Sequence, residues 1–181
     1  HLIARRQRQM CIRDSFPEES FVSHLDEIPG DQMPEPYREL LVHNHHMTVT
    51  MEAFHRDTVT LEVCRENRVD DHYARVILLS LEKTPQVVQF GIMRFDFSVC
   101  DRDTRDAILD GTTPLGRILI QKNIMRRIVP ETFLKIVTDE SLATYFDCSL
   151  SQEVYGRLAV IECNGQPAVE LLEVSAPVGA D

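Results

Sequence analysis

The stretch that decides the fold is Glu153–Pro177, EVYGRLAVIECNGQPAVELLEVSAP. Two runs rich in Val, Leu, Ile and Ala flank Asn164-Gly165. Asn-Gly between such runs is a strong short-range signal for a two-residue type I′ hairpin, because both central residues must take positive φ. With that turn as the loop, Cys163 is expected opposite Gln166, Ala159 opposite Glu170 and Gly156 opposite Glu173. Alternation then sorts the two glutamates onto different faces. Glu170 falls diagonal to Arg157, an ordinary cross-strand ion pair. Glu173 shares its face with Leu158, Val160, Val169 and Leu171, across from a glycine. A lone carboxylate on an apolar face, with space opposite, is a candidate acid/base group. The alternative is a sheet-end carboxylate reaching solvent.

Upstream segments extend the same sheet. In TVTLEVC (58–64), Val59, Leu61 and Val63 alternate with polar residues, the pattern of a half-buried strand. HYARVILLSL (72–81) is apolar on both faces and QVVQFGIMRFDF (86–97) is a further strand. The links between them, ENRVDD and EKTP, are too short for crossovers, so the pairing is antiparallel. Helices are expected at PYRELLVH, at DRDTRDAILD ended by Gly111, at PLGRILIQ with Thr113 as cap and Pro114 at the first position, and at DESLATYF. ETFLKIV is strand-like. Met47–Phe54 fits both a strand and a helix period. The sum is an α+β class protein, an antiparallel sheet of about six strands flanked by helices, in a single domain over residues 16–181.

Composition narrows the function. With 29 acidic against 19 basic residues the net charge is −10, which argues against nucleic acid as a partner. A small anion is compatible with it wherever a few arginines converge. No apolar run approaches the ~18 residues of a membrane span, so no membrane partner is expected. The five cysteines, odd in number and without a CxxC pair, read as reduced thiols in a cytoplasmic protein. A monomer is the default expectation. Residues 1–15, HLIARRQRQMCIRDS, read as a non-native or disordered tail.

HNHHMT (43–48) places three histidines in four residues. A metal site would need acidic or cysteine partners at ligand spacing, and none accompanies them. The expectation is a solvated helix–turn–helix junction, with His43 at a helix C-terminus where a cation suits the dipole. Arg75 is the sharper signal. It shares a strand face with Tyr73, Ile77, Leu79 and Leu81, where a guanidinium must find an anion or several carbonyls. It is either a bidentate clamp for a ligand carboxylate or a strand-end side chain snorkelling to water.

These blocks in order (HMT after a short helix, YARVILL, TPLGRIL, and YGRLAVIECNGQP followed by a glutamate and SAP) resemble the chorismate lyases over about residues 34–178. The resemblance implies an antiparallel sheet with helices holding a ligand beneath flaps, and a helix for Met47–Phe54. It implies conversion of chorismate to 4-hydroxybenzoate and pyruvate without metal or cofactor. Arg75 would bind the ring carboxylate, Met47 and Leu115 would contact the ligand, and Glu173 would be the catalytic glutamate. Arg94, Arg117 and Arg157 are candidates for the enolpyruvyl carboxylate. The chain departs from the family pattern by one extra residue between Pro167 and the glutamate, which makes Glu170 a rival. The alternative function is a non-catalytic effector-binding domain of the same fold, as in GntR-type regulators.

Overall fold

The computed structural model describes Ser15, Phe16 and residues 25–179. The expected tail lies outside the described residues, apart from Ser15. Seven strands, β1 (Leu25–Ile28), β2 (Val59–Val69), β3 (His72–Leu81), β4 (Val87–Asp96), β5 (Arg126–Val137), β6 (Glu153–Cys163) and β7 (Gln166–Ser175), form one sheet in the order β1-β5-β6-β7-β4-β3-β2. Every pairing is antiparallel. The strand beyond the expected six is β1, whose four residues are too short to show an alternation. The helices are α1 (Tyr37–Leu41), α2 (Met47–His55), α3 (Arg102–Leu109), α4 (Leu115–Gln121) and α5 (Glu140–Phe146). The ambiguous Met47–Phe54 is thus helical, its Met47 and Met51 buried against the sheet.

Three local expectations need correcting. ENRVDD is not all turn: β2 continues to Val69, and only Asp70 and Asp71 reverse the chain, Asp70 at φ 54°. Pro114 is the N-cap of α4 rather than its first residue, so Thr113 lies outside the cap. The most consequential correction concerns the closing hairpin. Its turn is as expected, with Asn164 at φ 51° and Gly165 at φ 81°. Cys163 opposes Gln166 and Glu162 opposes Pro167, but Ile161 then opposes Val169, leaving Ala168 as a bulge. Pro167 has no N–H to give the ladder, and bulges are where strands accept proline. Beyond the bulge everything moves by one place. Glu173 stands opposite Arg157, not Gly156, and Glu170 stands opposite Val160, not Ala159. The expected Arg157–Glu170 pair is therefore replaced by Arg157–Glu173 and, on the other face, Arg94–Glu170.

One face of the sheet buries Val76, Phe90, Ile92, Leu172 and Val174 under Leu142 and Phe146 of α5. The other carries two separate apolar clusters. Helices α1 and α2 cover Ile77 and Leu79 with Leu40, Leu41, Met47 and Met51. Helices α3 and α4 cover Tyr73, Met93 and Phe95 with Ile108, Leu115 and Leu119. The seam between those clusters is where the sheet is not filled by side chains of the helices.

Candidate functional site

A hollow of about 60 Å³ lies in that seam. Its floor is a grid set by register. Arg75 opposes Met93, Ile77 opposes Gly91, and Leu79 opposes Gln89. On the far side of β4, Glu173 opposes Gly91. The glycine expected across from Glu173 is therefore present, but it comes from β4. A Cβ on Gly91 would lie 3.1 Å from Ile77 Cδ1, so the missing side chain at mid-sheet is what opens the hollow. The starts of α2 and α4 form the roof. They meet closely because Gly116 has no side chain: a Cβ there would sit 3.0 Å from the His46 ring.

All four residues singled out in the sequence border this cavity: Arg75, Glu173, Met47 and Leu115. Arg75 is 1% exposed, which removes the snorkelling alternative. Its Nη1 donates to the Ile108 carbonyl at 3.0 Å, near the C-terminus of α3. Its Nε finds no partner among the described residues. Burial works against the charge, opposed only in part by the neighbouring Tyr73 phenol and by Glu66.

Glu173 is tied down by contrast. Arg157 Nε donates to its Oε2 at 2.6 Å, with both side chains buried. The rest of the same guanidinium donates to three carbonyls: Leu41 (3.2 Å), His43 (2.8 Å) and His45 (3.2 Å). Arg157 thus pins the 41–45 bend onto the sheet. The bend is the expected junction between two helices, with Val42, Asn44 and His45 exposed, but it is solvated only in part. His43 is half-buried with Nε2 2.7 Å from the Leu40 carbonyl, and His46 is buried with its Nε2 accepting from Arg126 Nε at 2.7 Å. Both imidazoles are pushed down to about 4. Burial is the main cause for each, followed by Arg157 at His43 and by Arg126 and Arg157 at His46. His43 is accordingly neutral near pH 7, not a helix-end cation. Among the described residues no three His, Cys, Asp or Glu side chains converge as a metal-ligand set.

Of the three candidate arginines for a second carboxylate, Arg157 alone lines the cavity. Arg94 pairs with Glu170 at 3.5 Å and Arg117 with Glu52. The residue that sequence reasoning missed is Gln89. It is 3% exposed and lines the cavity, and its amide oxygen has no partner among the described residues. The available signal was alternation in β4, which puts Gln89 on the face of Gly91 and Met93.

No protein-family model matches the sequence, and no curated protein matches it. Solved structures do. The ligand-binding domain of a GntR-family transcriptional regulator from Bordetella bronchiseptica superposes with a TM-score of 0.51 at 7% identity, over 68% of this chain and 92% of that one. The effector domain of PhnF from Mycobacterium smegmatis gives 0.57 at 10% identity, over 73% and 88%. PhnF from the same organism gives 0.58 at 8% identity, over 95% and 80%. Identities this low speak for fold alone. The chain has the α+β fold of GntR-family effector domains, a seven-stranded antiparallel sheet flanked by helices.

Proposed function

We propose that this domain binds a small carboxylate as an effector and does not turn it over. One observation carries the reading. The cavity offers a buried guanidinium, Arg75, with an unpartnered N–H, while the one carboxylate among its lining residues, Glu173, is held by Arg157. The first is a receptor for an anion. The second is a poor acid/base group, because moving a proton onto it removes the charge that Arg157 is bound to, in a setting where breaking such a pair costs about 3–5 kcal/mol. A ligand with two carboxylates would also need a second cation, and four of the five N–H donors of Arg157 are already engaged. The likeness to effector and ligand-binding domains supports the same reading.

The test is a calorimetric titration with small monocarboxylates beside an incubation with chorismate. Saturable binding that Arg75→Ala abolishes, with no pyruvate released from chorismate, is the expected result. A second reading, a chorismate lyase, draws on Arg75, Glu173, Met47 and Leu115 all bordering one cavity. Pyruvate and 4-hydroxybenzoate appearing in equal amounts, undiminished by EDTA, would select it. Glu173→Gln would then lower turnover by roughly 10²–10⁴-fold.

A further inference from the structure

We propose that Glu66 is the built-in counter-charge of Arg75, coupled to it through the Tyr73 hydroxyl, and that it holds down the affinity of the cavity for an anion. The affinity part rests on the carboxylate-binding reading; the pairing does not. Arg75 is 1% exposed, and its Nη1 reaches the Ile108 carbonyl, which solvates a charge without neutralising it. A cation buried so deeply needs an anion close by. The Tyr73 phenol, itself buried, supplies the bridge: its hydroxyl donates to Glu66 Oε2 at 3.0 Å. With its single proton given to Glu66, the phenol oxygen is left as an acceptor for the guanidinium beside it. Burial works against the Arg75 charge, and the groups that favour it are the Tyr73 phenol and then Glu66.

An irregularity in β2 puts Glu66 in that position. Val63 opposes Ile77, but Arg65 opposes Val76, because the ladder is displaced by one residue at Cys64. Continued without this bulge, the pairing would set Arg65 across from Arg75, like charge against like. With it, Glu66 stands across from Arg75 and Arg68 across from Tyr73. The Tyr73 ring is fixed for the bridge by stacking on Phe97, with centroids 5.4 Å apart and planes at 14°. Arg68 lies over the Phe97 ring at 5.8 Å and gives its Nε to the Asp70 carbonyl at 3.4 Å. Glu66 is exposed, so the bridge joins a buried cation to an anion that water can solvate. A carboxylate entering the cavity draws on the same positive charge. Glu66 therefore competes with it, and a fixed negative charge one phenol away from the guanidinium repels it.

The experiment combines urea denaturation of the ligand-free full chain with calorimetric titration of benzoate, on wild type, Glu66→Gln, Arg75→Met and the double variant. Glutamine keeps an acceptor for the Tyr73 hydroxyl and removes only the charge. Glu66→Gln should lower the urea midpoint by roughly 0.5 M, the loss of charge assistance from one hydrogen-bonded bridge. That loss should vanish in the Arg75→Met background, where no buried cation is left to compensate. The same Glu66→Gln protein should bind benzoate roughly threefold to tenfold more tightly, because a repelling charge has been removed. A Tyr73–Glu66 bond of purely structural value would instead shift the midpoint alike in both backgrounds and leave affinity alone. Equal midpoint losses with and without Arg75, or benzoate affinity unchanged or weakened in Glu66→Gln, would overturn the proposal. If Arg75→Met does not fold, Arg75→Gln takes its place in the comparison, and the benzoate affinity of Glu66→Gln decides independently of both. Failure of benzoate to bind any folded variant sinks the carboxylate reading and the affinity role with it, while the ligand-free comparison still decides the Glu66–Arg75 pairing.

Discussion

Replacing Arg157 and Glu173 one at a time separates the pocket's scaffold from its ligand chemistry. Arg157→Met leaves the Glu173 carboxylate, 6% exposed, without its 2.6 Å partner, and removes the donors to Leu41, His43 and His45. Breaking a buried pair in this way costs about 3–5 kcal/mol. The His43 and His45 carbonyls lie on a part-exposed bend and regain water, so they add little, whereas the buried Leu41 carbonyl adds to the loss. Glu173→Gln is milder, because the amide oxygen still accepts from Nε and the three carbonyls continue to solvate the guanidinium. A loss of about 1.5–3 kcal/mol is expected, the range for a hydrogen bond to a charged group. With a urea m-value of about 2 kcal/mol/M, Arg157→Met should lower the midpoint by roughly 2 M and Glu173→Gln by about half as much. Circular dichroism against urea measures both, and the double variant Arg157→Met, Glu173→Leu should recover part of the Arg157→Met loss. Carboxylate affinity of folded Glu173→Gln should stay within a few-fold of wild type. A Glu173→Gln protein that is fully stable yet unable to act on its ligand would refute the argument, since Glu173 would then be a chemical group and not a structural one.

Three further outcomes follow from other parts of the structure. His43 and His46 have folded values lowered to about 4 from an ordinary 6.5, so the unfolded chain binds more protons between those limits, and stability should fall as pH drops from about 6.5 to 4; His46→Gln, which keeps an acceptor for Arg126, should flatten that slope in urea titrations across the window. Gly156→Ala places a Cβ 2.6 Å from the Glu173 carbonyl oxygen, a backbone atom that cannot turn aside, and should cost about 1–3 kcal/mol, whereas the tight contacts of a Cβ on Gly91 are with the movable Ile77 side chain, the Leu172 carbonyl oxygen lying at an ordinary 3.5 Å, so Gly91→Ala should cost less; thermal melts rank the two. Arg75→Met removes a buried charge with no salt-bridge partner among the described residues, so it should abolish carboxylate binding while leaving the ligand-free protein as stable as wild type or more so by about 1–3 kcal/mol.

Two strand-level features of the site were legible in the sequence because they depend only on alternation within one strand. The apolar face of HYARVILLSL puts Arg75 among Tyr73, Ile77 and Leu79 whatever the strand pairs with, and the same holds for Glu173 beside Val169 and Leu171. The Asn164-Gly165 turn was equally local, since its positive φ values are a property of those two residues. Helix caps and the short β1 were not, because four-residue segments and Pro-containing starts carry too little periodicity to place an end.

Partnership across strands was decided only by the tertiary structure. The bulge at Ala168 shifts the ladder by one residue, and that shift alone transfers Glu173 from Gly156 to Arg157 and sends Glu170 to Arg94. Nor could the sequence reveal that a guanidinium on β6 would collect carbonyls from a bend more than a hundred residues earlier, or that Gly91 and Gly116 would meet as floor and roof of one hollow. Which face a side chain takes follows from backbone pleating, residue by residue. Which group it meets there follows from ladder register and helix packing, and those are set by the whole chain closing on itself.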